Sequence, residues 1–431
     1  MRMKFKKLSI SAGLRRVRVS DGLISLLFVL YFGADAVYAI FRYLGIYDHL
    51  LDLFNTLYLV PLLLACAVYR FRRVWMSLVL YAVISVLFLV TYAFHPEYAD
   101  WFSHSTYGIV PQFLSLRGGI WAFLLIGFVR DPKQLLHLLL VTAWVCLFYY
   151  VWIYTEAMQR GYWVSVNSLG ATTHSNYNLV YGYDMLYPAA VFAVFAFLRG
   201  KRLYYIPFAL CTLLVLLAGS RGPILWLLMM FVVMVPIKWN HMTRRSRIIT
   251  LSVILLLFPL FLMVYNNFNA ILLAISTGVT GNATPSRTVM MILNNSFSDD
   301  NGRQKIYEMA NELIQNGGAF GHGVYGDRYV IGRQFSWGYS HNLFLEWFVS
   351  FGYIGGTLVS AAYLYMVFRM YLTNQDLEWQ CIFTVFFTNN LRLLVSDSFW
   401  YNKFFWGLLM VCILWMQTRR RRAFVFAWQA G

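Results

Sequence analysis

Apolar segments long enough to cross a bilayer recur along almost the whole chain, from residue 22 to residue 416. A hydrocarbon core about 30 Å thick needs roughly 20 apolar residues per helix. No water is available inside it to bond an open backbone, so such segments must be helical. About twelve are predicted, at 22–42, 51–68, 75–95, 107–129, 135–156, 177–198, 203–219, 223–238, 248–267, 343–369, 378–396 and 401–416. Pro111 and Arg117 interrupt the fourth, part of which can be re-entrant instead of spanning. Charged residues make up only 12% of the chain, about half the share of a soluble domain. The expected fold is an all-α polytopic membrane protein.

A net charge of +17 could point to nucleic acid, but its distribution argues for topology. With the N-terminus inside, most Lys and Arg fall on the cytoplasmic side: seven in the first 21 residues, then YRFRRVW, RGKR, KWNHMTRRSR and the terminal TRRRR. Some attraction to anionic headgroups follows, and nucleic acid is not needed as a partner. The layout is a basic tail (1–21), nine spans within 22–267, one large outer loop (268–342), three spans within 343–416 and a second basic tail (417–431). The basic start runs into a segment long enough to stay as a first span, so no cleaved leader is expected. Five cysteines lie in apolar runs without CxxC spacing and read as core residues. No DxD, HExxH or Walker loop occurs, so neither metal nor nucleotide cofactor is expected.

The outer loop holds the polar chemistry, as a loop of this length usually does. NGRQKIYEMANELIQNGG reads as an amphipathic helix, with Ile306, Met309, Ala310, Leu313 and Ile314 on one face and Gly317–Gly318 as its stop. Arg303 sits in the first turn, toward that apolar face, where a cation opposes the helix dipole. An anion there would ease both features, as would a stem packed on lipid with its charge snorkelling. The following GHGVYGDRYVIGRQFSWGYS offers aromatic faces with Arg328 and Arg333, suited to sugars and phosphate oxygens, or to an ordinary glycine-rich turn region. Asn342 can cap the helix from Leu343, and Glu346 lies one turn further, shallow enough to stay hydrated. Gly352 and Gly356 form a GxxxG pair that permits close helix contact. His341 sits at the water boundary, as an interfacial polar residue or as a proton acceptor below a loop rich in arginines.

Other outer-face features are less specific. AGSRGP places Arg221 in a tight turn, where it needs an external anion or a distant acid such as Asp397. The stretch 154–184, with His174, is rich in Asn, Tyr and Trp, as carbohydrate surfaces and interfacial aromatic belts both are. Arg392, Asp397 and Lys403 suggest an internal Arg–Asp pair.

His341–Asn342, nine residues, then Gly352-x-x-Gly355, at the end of a large outer loop, resembles the signature of the bacterial O-antigen polymerase and ligase superfamily. SRG at 220–222 resembles that family's arginine turn, and Gly302–Arg303 before an amphipathic helix resembles its loop start; Pro223 departs from the pattern. The resemblance implies a metal-independent, cofactor-free glycosyltransferase of the bacterial plasma membrane, with its site on the outer face. Its donor would be an undecaprenyl-diphosphate-linked glycan and its acceptor a glycolipid, with a chain-length regulator as a further partner. His341 would accept the acceptor hydroxyl's proton in an inverting displacement, and Arg221 and Arg303 would stabilise the departing diphosphate. Asn342 and Glu346 would orient that imidazole or the acceptor, with Arg333, Arg328, Arg287, Arg117 and His174 as further substrate contacts. Polymerisation of repeat units is favoured over ligation to lipid A-core. A flippase or transporter is the competing class, disfavoured because charged residues outside the cytoplasmic loops gather at one face and no half-repeat is visible.

Overall fold

The computed structural model describes residues 19–44, 48–105, 108–115, 118–129, 131–166, 172–175, 178–217, 221–245, 247–248, 274, 302–335 and 338–430. The expected contacts Arg117 and Arg287 lie outside these residues, as does nearly all of the ninth expected span. The chain is mostly helical. Five described helices are long and apolar enough to cross a membrane: Arg73–Phe94, Pro132–Arg160, Val180–Leu198, Gly222–Asn240 and Leu343–Thr373. A sixth arises if Asp21–Phe32 and Ala34–Phe41, bent by 78° at Gly33, count as one span.

That number is below the expected twelve. The segments at 51–68, 203–219, 378–396 and 401–416 do contain helices, Asp48–Tyr69, Tyr205–Leu217, Leu377–Asn390 and Lys403–Ala430, without meeting those span criteria among the described residues. The 107–129 segment differs more. It makes one wide turn at Val110–Leu114 and a helix only from Trp121 to Phe128. Eight helical residues rise about 12 Å, far less than a bilayer core. Gly119 presses against the backbone of Tyr401, where a Cβ would come within 2.5 Å. This geometry suits the re-entrant alternative. The all-α expectation also needs one correction, because Trp163–Val166 and Thr172–Ser175 pair as an antiparallel hairpin.

Burial separates the centre of the bundle from its rim. In Val180–Leu198, 78% of the apolar window is buried, against 22% in Arg73–Phe94. The first is therefore the central post, packed against Pro132–Arg160, Tyr205–Leu217 and Leu377–Asn390. The second turns Leu78, Val83, Val86 and Leu89 outward, as a helix facing hydrocarbon would. Four helix ends meet beside one another: the start of the central post, the start of Leu343–Thr373, the end of Leu377–Asn390 and the start of Lys403–Ala430. The candidate site is at that end.

Candidate active site

The loop helix, Arg303–Gly317, forms as its periodicity predicts. Gly302, at φ 81°, supplies the left-handed turn before it, a conformation glycine adopts without steric cost. Its buried face, Ile306, Met309, Ala310 and Leu313, packs with Ile331 and Val349. The helix is thus docked on the beginning of Leu343–Thr373, and its first residue, Arg303, is half-buried.

Leu343–Thr373 begins with the expected cap. Asn342 Oδ1 accepts from the backbone N–H groups of Phe344 and Leu345 at 3.0 and 3.2 Å, while its Nδ2 donates to the Leu394 carbonyl at 3.0 Å. Gly352 then breaks the helix, at φ 65° and ψ −168°. The break frees backbone groups that the loop satisfies. His322 N and Gly323 N donate to the carbonyls of Val349 and Ser350 at 2.8 and 3.0 Å, and Tyr353 N and Ile354 N donate to those of Gly318 and Ala319 at 3.0 and 3.1 Å. Non-helical backbone at membrane depth requires such partners. A Cβ on Gly352 would meet Gly321 N at 2.3 Å. The glycine therefore serves loop-to-helix pairing and not the helix–helix contact that GxxxG suggested.

Glu346 and Arg328 also depart from expectation. Neither is hydrated, since each side chain is 1% exposed. Arg328 Nη1 lies 3.1 Å from Asp327 Oδ1 and 3.0 Å from Glu346 Oε1, and Nη2 donates to Ser398 Oγ at 2.9 Å. Ser398 Oγ in turn donates to Glu346 Oε1 at 2.6 Å. Burial opposes the charge on Arg328, but Asp327 and Glu346 outweigh it and hold its pKa above the ordinary value. Tyr325, itself at φ 69°, lies 4.1 Å from the guanidinium carbon. The fork is engaged by the protein and locks the loop, Leu343–Thr373 and the 398 turn together.

The cluster continues directly to His341. Asp327 Oδ2 accepts from Ser340 N at 3.0 Å and Ser340 Oγ at 2.9 Å. The next residue, His341, is held at φ 51°, in a region that costs a non-glycine residue of order 1–3 kcal/mol. Its ring lies 4.1 Å from that of Tyr339, whose hydroxyl donates to the Ser396 carbonyl at 3.2 Å. Burial first, and then the charges of Arg303 and Arg328, together bring the imidazole pKa down to about 4. Arg303 is thus near enough to act on His341 electrostatically. No carboxylate among the described residues pairs with Arg303.

A cavity of about 420 Å³ opens at this end of the bundle, lined in part by Arg392, Asp397 and Tyr401. Tyr401 connects it to the loop, its ring 6.1 Å from Tyr339. The expected Arg392–Asp397 pair is present at 2.6 Å, and Arg392 also lies over the Tyr183 ring at 5.1 Å. Tyr183 faces the start of Arg221–Asn240, because a Cβ on Gly222 would come within 2.1 Å of its hydroxyl. The backbone of Arg221 therefore starts a helix at the cavity wall; its side chain lies outside the described residues.

Arg333 and His174 are not drawn into this cluster. Arg333 is exposed, its guanidinium 4.0 Å over Tyr329. His174 lies in the hairpin, stacked on Tyr162 at 4.5 Å. Sequence reasoning overlooked Asp327, Tyr339 and Ser398 in the framework, and Asp35 and Asp184 in the cavity wall. The two cavity acids carried a usable signal, since each interrupts an apolar segment.

The class defined by these features is an integral membrane protein in which the segment before Leu343–Thr373 is stitched into the end of a helix bundle. Residues 206–360 match the family model described as O-antigen ligase, which supports the O-antigen polymerase and ligase superfamily. Members of that family are glycosyltransferases and ligases of O-antigen biosynthesis. The matched region contains Arg221, Arg303, His341, Asn342 and Gly352. In the same comparisons, no curated protein and no solved structure matched the chain.

Proposed function

We propose that the protein transfers a glycan from an undecaprenyl-diphosphate carrier to the hydroxyl of a second lipid-linked repeat unit, on the outer face of the plasma membrane. The observation that carries this reading is the pairing of a buried, uncharged imidazole with a guanidinium that has no carboxylate partner among the described residues. His341 accepts the proton of the attacking hydroxyl as that oxygen bonds to the anomeric carbon. The carbon–oxygen bond to the diphosphate breaks, with inversion, and the diphosphate departs toward Arg303 and Arg221. A pKa near 4 makes His341 a weak base in the empty enzyme. The donor's diphosphate offsets the Arg303 charge, so His341 becomes more basic only when the leaving group is in place.

Asn342 fixes the start of Leu343–Thr373, and the Asp327–Arg328–Glu346 cluster holds Ser340 and hence the backbone that presents His341. Arg328 and Glu346 therefore act as positioning residues. The deciding experiment uses protein reconstituted in vesicles with lipid-linked repeat units alone. A ladder of lengthened products supports polymerisation, and strict dependence on added lipid A-core supports ligation. Full transfer by His341→Ala removes the base assignment.

A further inference from the structure

The central cavity does not end at Arg392 and Asp397. A second cavity of about 300 Å³ adjoins it, and the two share Asp35, Tyr38, Tyr150 and Asp184 in their walls. Together they make a trough from Tyr401, beside the His341 loop, to Trp163 in the hairpin. Both volumes lie within or near the range of ligand sites. The bent first helix pair delivers Asp35, the central post delivers Asp184, and Tyr150 comes from Pro132–Arg160.

The lining selects among ligands. Asp35 is exposed to the trough and accepts the Tyr150 hydroxyl at 3.0 Å. Arg392 is occupied by Asp397, and Arg160 by Glu156 at 3.0 Å. Lys403 Nζ donates to the Phe32 carbonyl at 3.1 Å. A prenyl chain would strip water from Asp35 and Asp184 and offer no hydrogen bond in return. An anionic group would face the same carboxylates. A saccharide fits both features, its C–H faces lying on tyrosine rings and its hydroxyls donating to carboxylates.

We propose that this trough binds an uncharged, hydroxyl-rich stretch of saccharide, with Asp35 and Asp184 accepting from its hydroxyls. The assignment rests on the glycan-transfer reading and adds the class of sugar. Either the donor's or the acceptor's glycan could supply it, and kinetics distinguishes the two.

The test uses full-length protein in nanodiscs. Two probes suffice: repeat-unit oligosaccharide released by mild acid from the host's lipid-linked pool, and the same oligosaccharide with its primary alcohols oxidised to carboxylates. The native probe should bind at least tenfold more tightly than the oxidised one, and the Asp35→Asn/Asp184→Asn double variant should weaken native binding by at least tenfold. Equal binding of the two probes to the wild type overturns the proposal without relying on any variant. Native binding that ignores the double substitution in folded protein also overturns it. In transfer assays, a raised KM for the acceptor alone assigns the trough to the acceptor, and a raised KM for the donor alone assigns it to the donor. Binding of the expected pattern in a wild type that transfers nothing would count against glycan transfer and not against the trough.

Discussion

The loop site and the trough lie side by side but are built in opposite ways. In the loop site, charges are buried and bonded to one another: Asp327, Arg328, Glu346 and Ser398 leave almost nothing for solvent. Backbone strain at Tyr325 and His341 is held in place by these bonds. In the trough, Asp35 stays exposed and the walls are rich in tyrosine. The first region suits fixing one geometry, and the second suits receiving something. The family match covers Asp327, Arg328, His341 and Glu346 of the first, while Ser398 and the trough acids Asp35 and Asp184 lie outside 206–360.

Substitutions that remove framework groups should sharpen this contrast. Arg328→Ala leaves Asp327 and Glu346 buried without their cation and should cost about 3–5 kcal/mol of stability, read as a large drop in thermal unfolding temperature. Asp35→Asn should leave that temperature nearly unchanged. Comparable losses in both would erase the distinction.

Acid should act on the loop site next. The folded pKa of His341, about 4, lies below its ordinary value of 6.5. The unfolded chain therefore takes up a proton first as pH falls. Stability attributable to His341 is complete above about 6.5, is lost between there and about 4, and is flat below. The span of that loss is on the order of 3 kcal/mol, and His341→Gln should abolish it. The kinetic counterpart is an inflection in kcat at higher pH than in kcat/KM, because the first reports the donor-bound enzyme.

Gly352→Ala should cost about 1–3 kcal/mol from its dihedral angles alone, more if the Gly318–Gly323 segment cannot move away. Transfer should fall with it, since that segment precedes the framework. The smallest effect is expected for Asn342→Ala, about 1 kcal/mol from the lost cap, measured by the same melting experiment.

What was legible in the sequence was local. The loop helix follows from apolar spacing, and the Asn342 cap from its position before an apolar run. The Arg392–Asp397 pair follows from two opposite charges five residues apart. The roles of Arg328 and Glu346 were not legible, because their burial depends on each other across 18 residues and on Ser398 a further 52 away. Gly352 looked like a helix contact because its pairing partners lie about thirty residues earlier in the loop. The trough joins acids from two distant helices, and only packing places them on one cavity.

The most direct measurement is transfer from lipid-linked repeat units by purified wild type, His341→Ala and Arg303→Ala, each first shown to melt like the wild type. On this account, an imidazole and a nearby guanidinium divide proton acceptance and leaving-group stabilisation, so each single change should lower kcat by about 10²–10⁴. Near-normal turnover by either well-folded variant would contradict it.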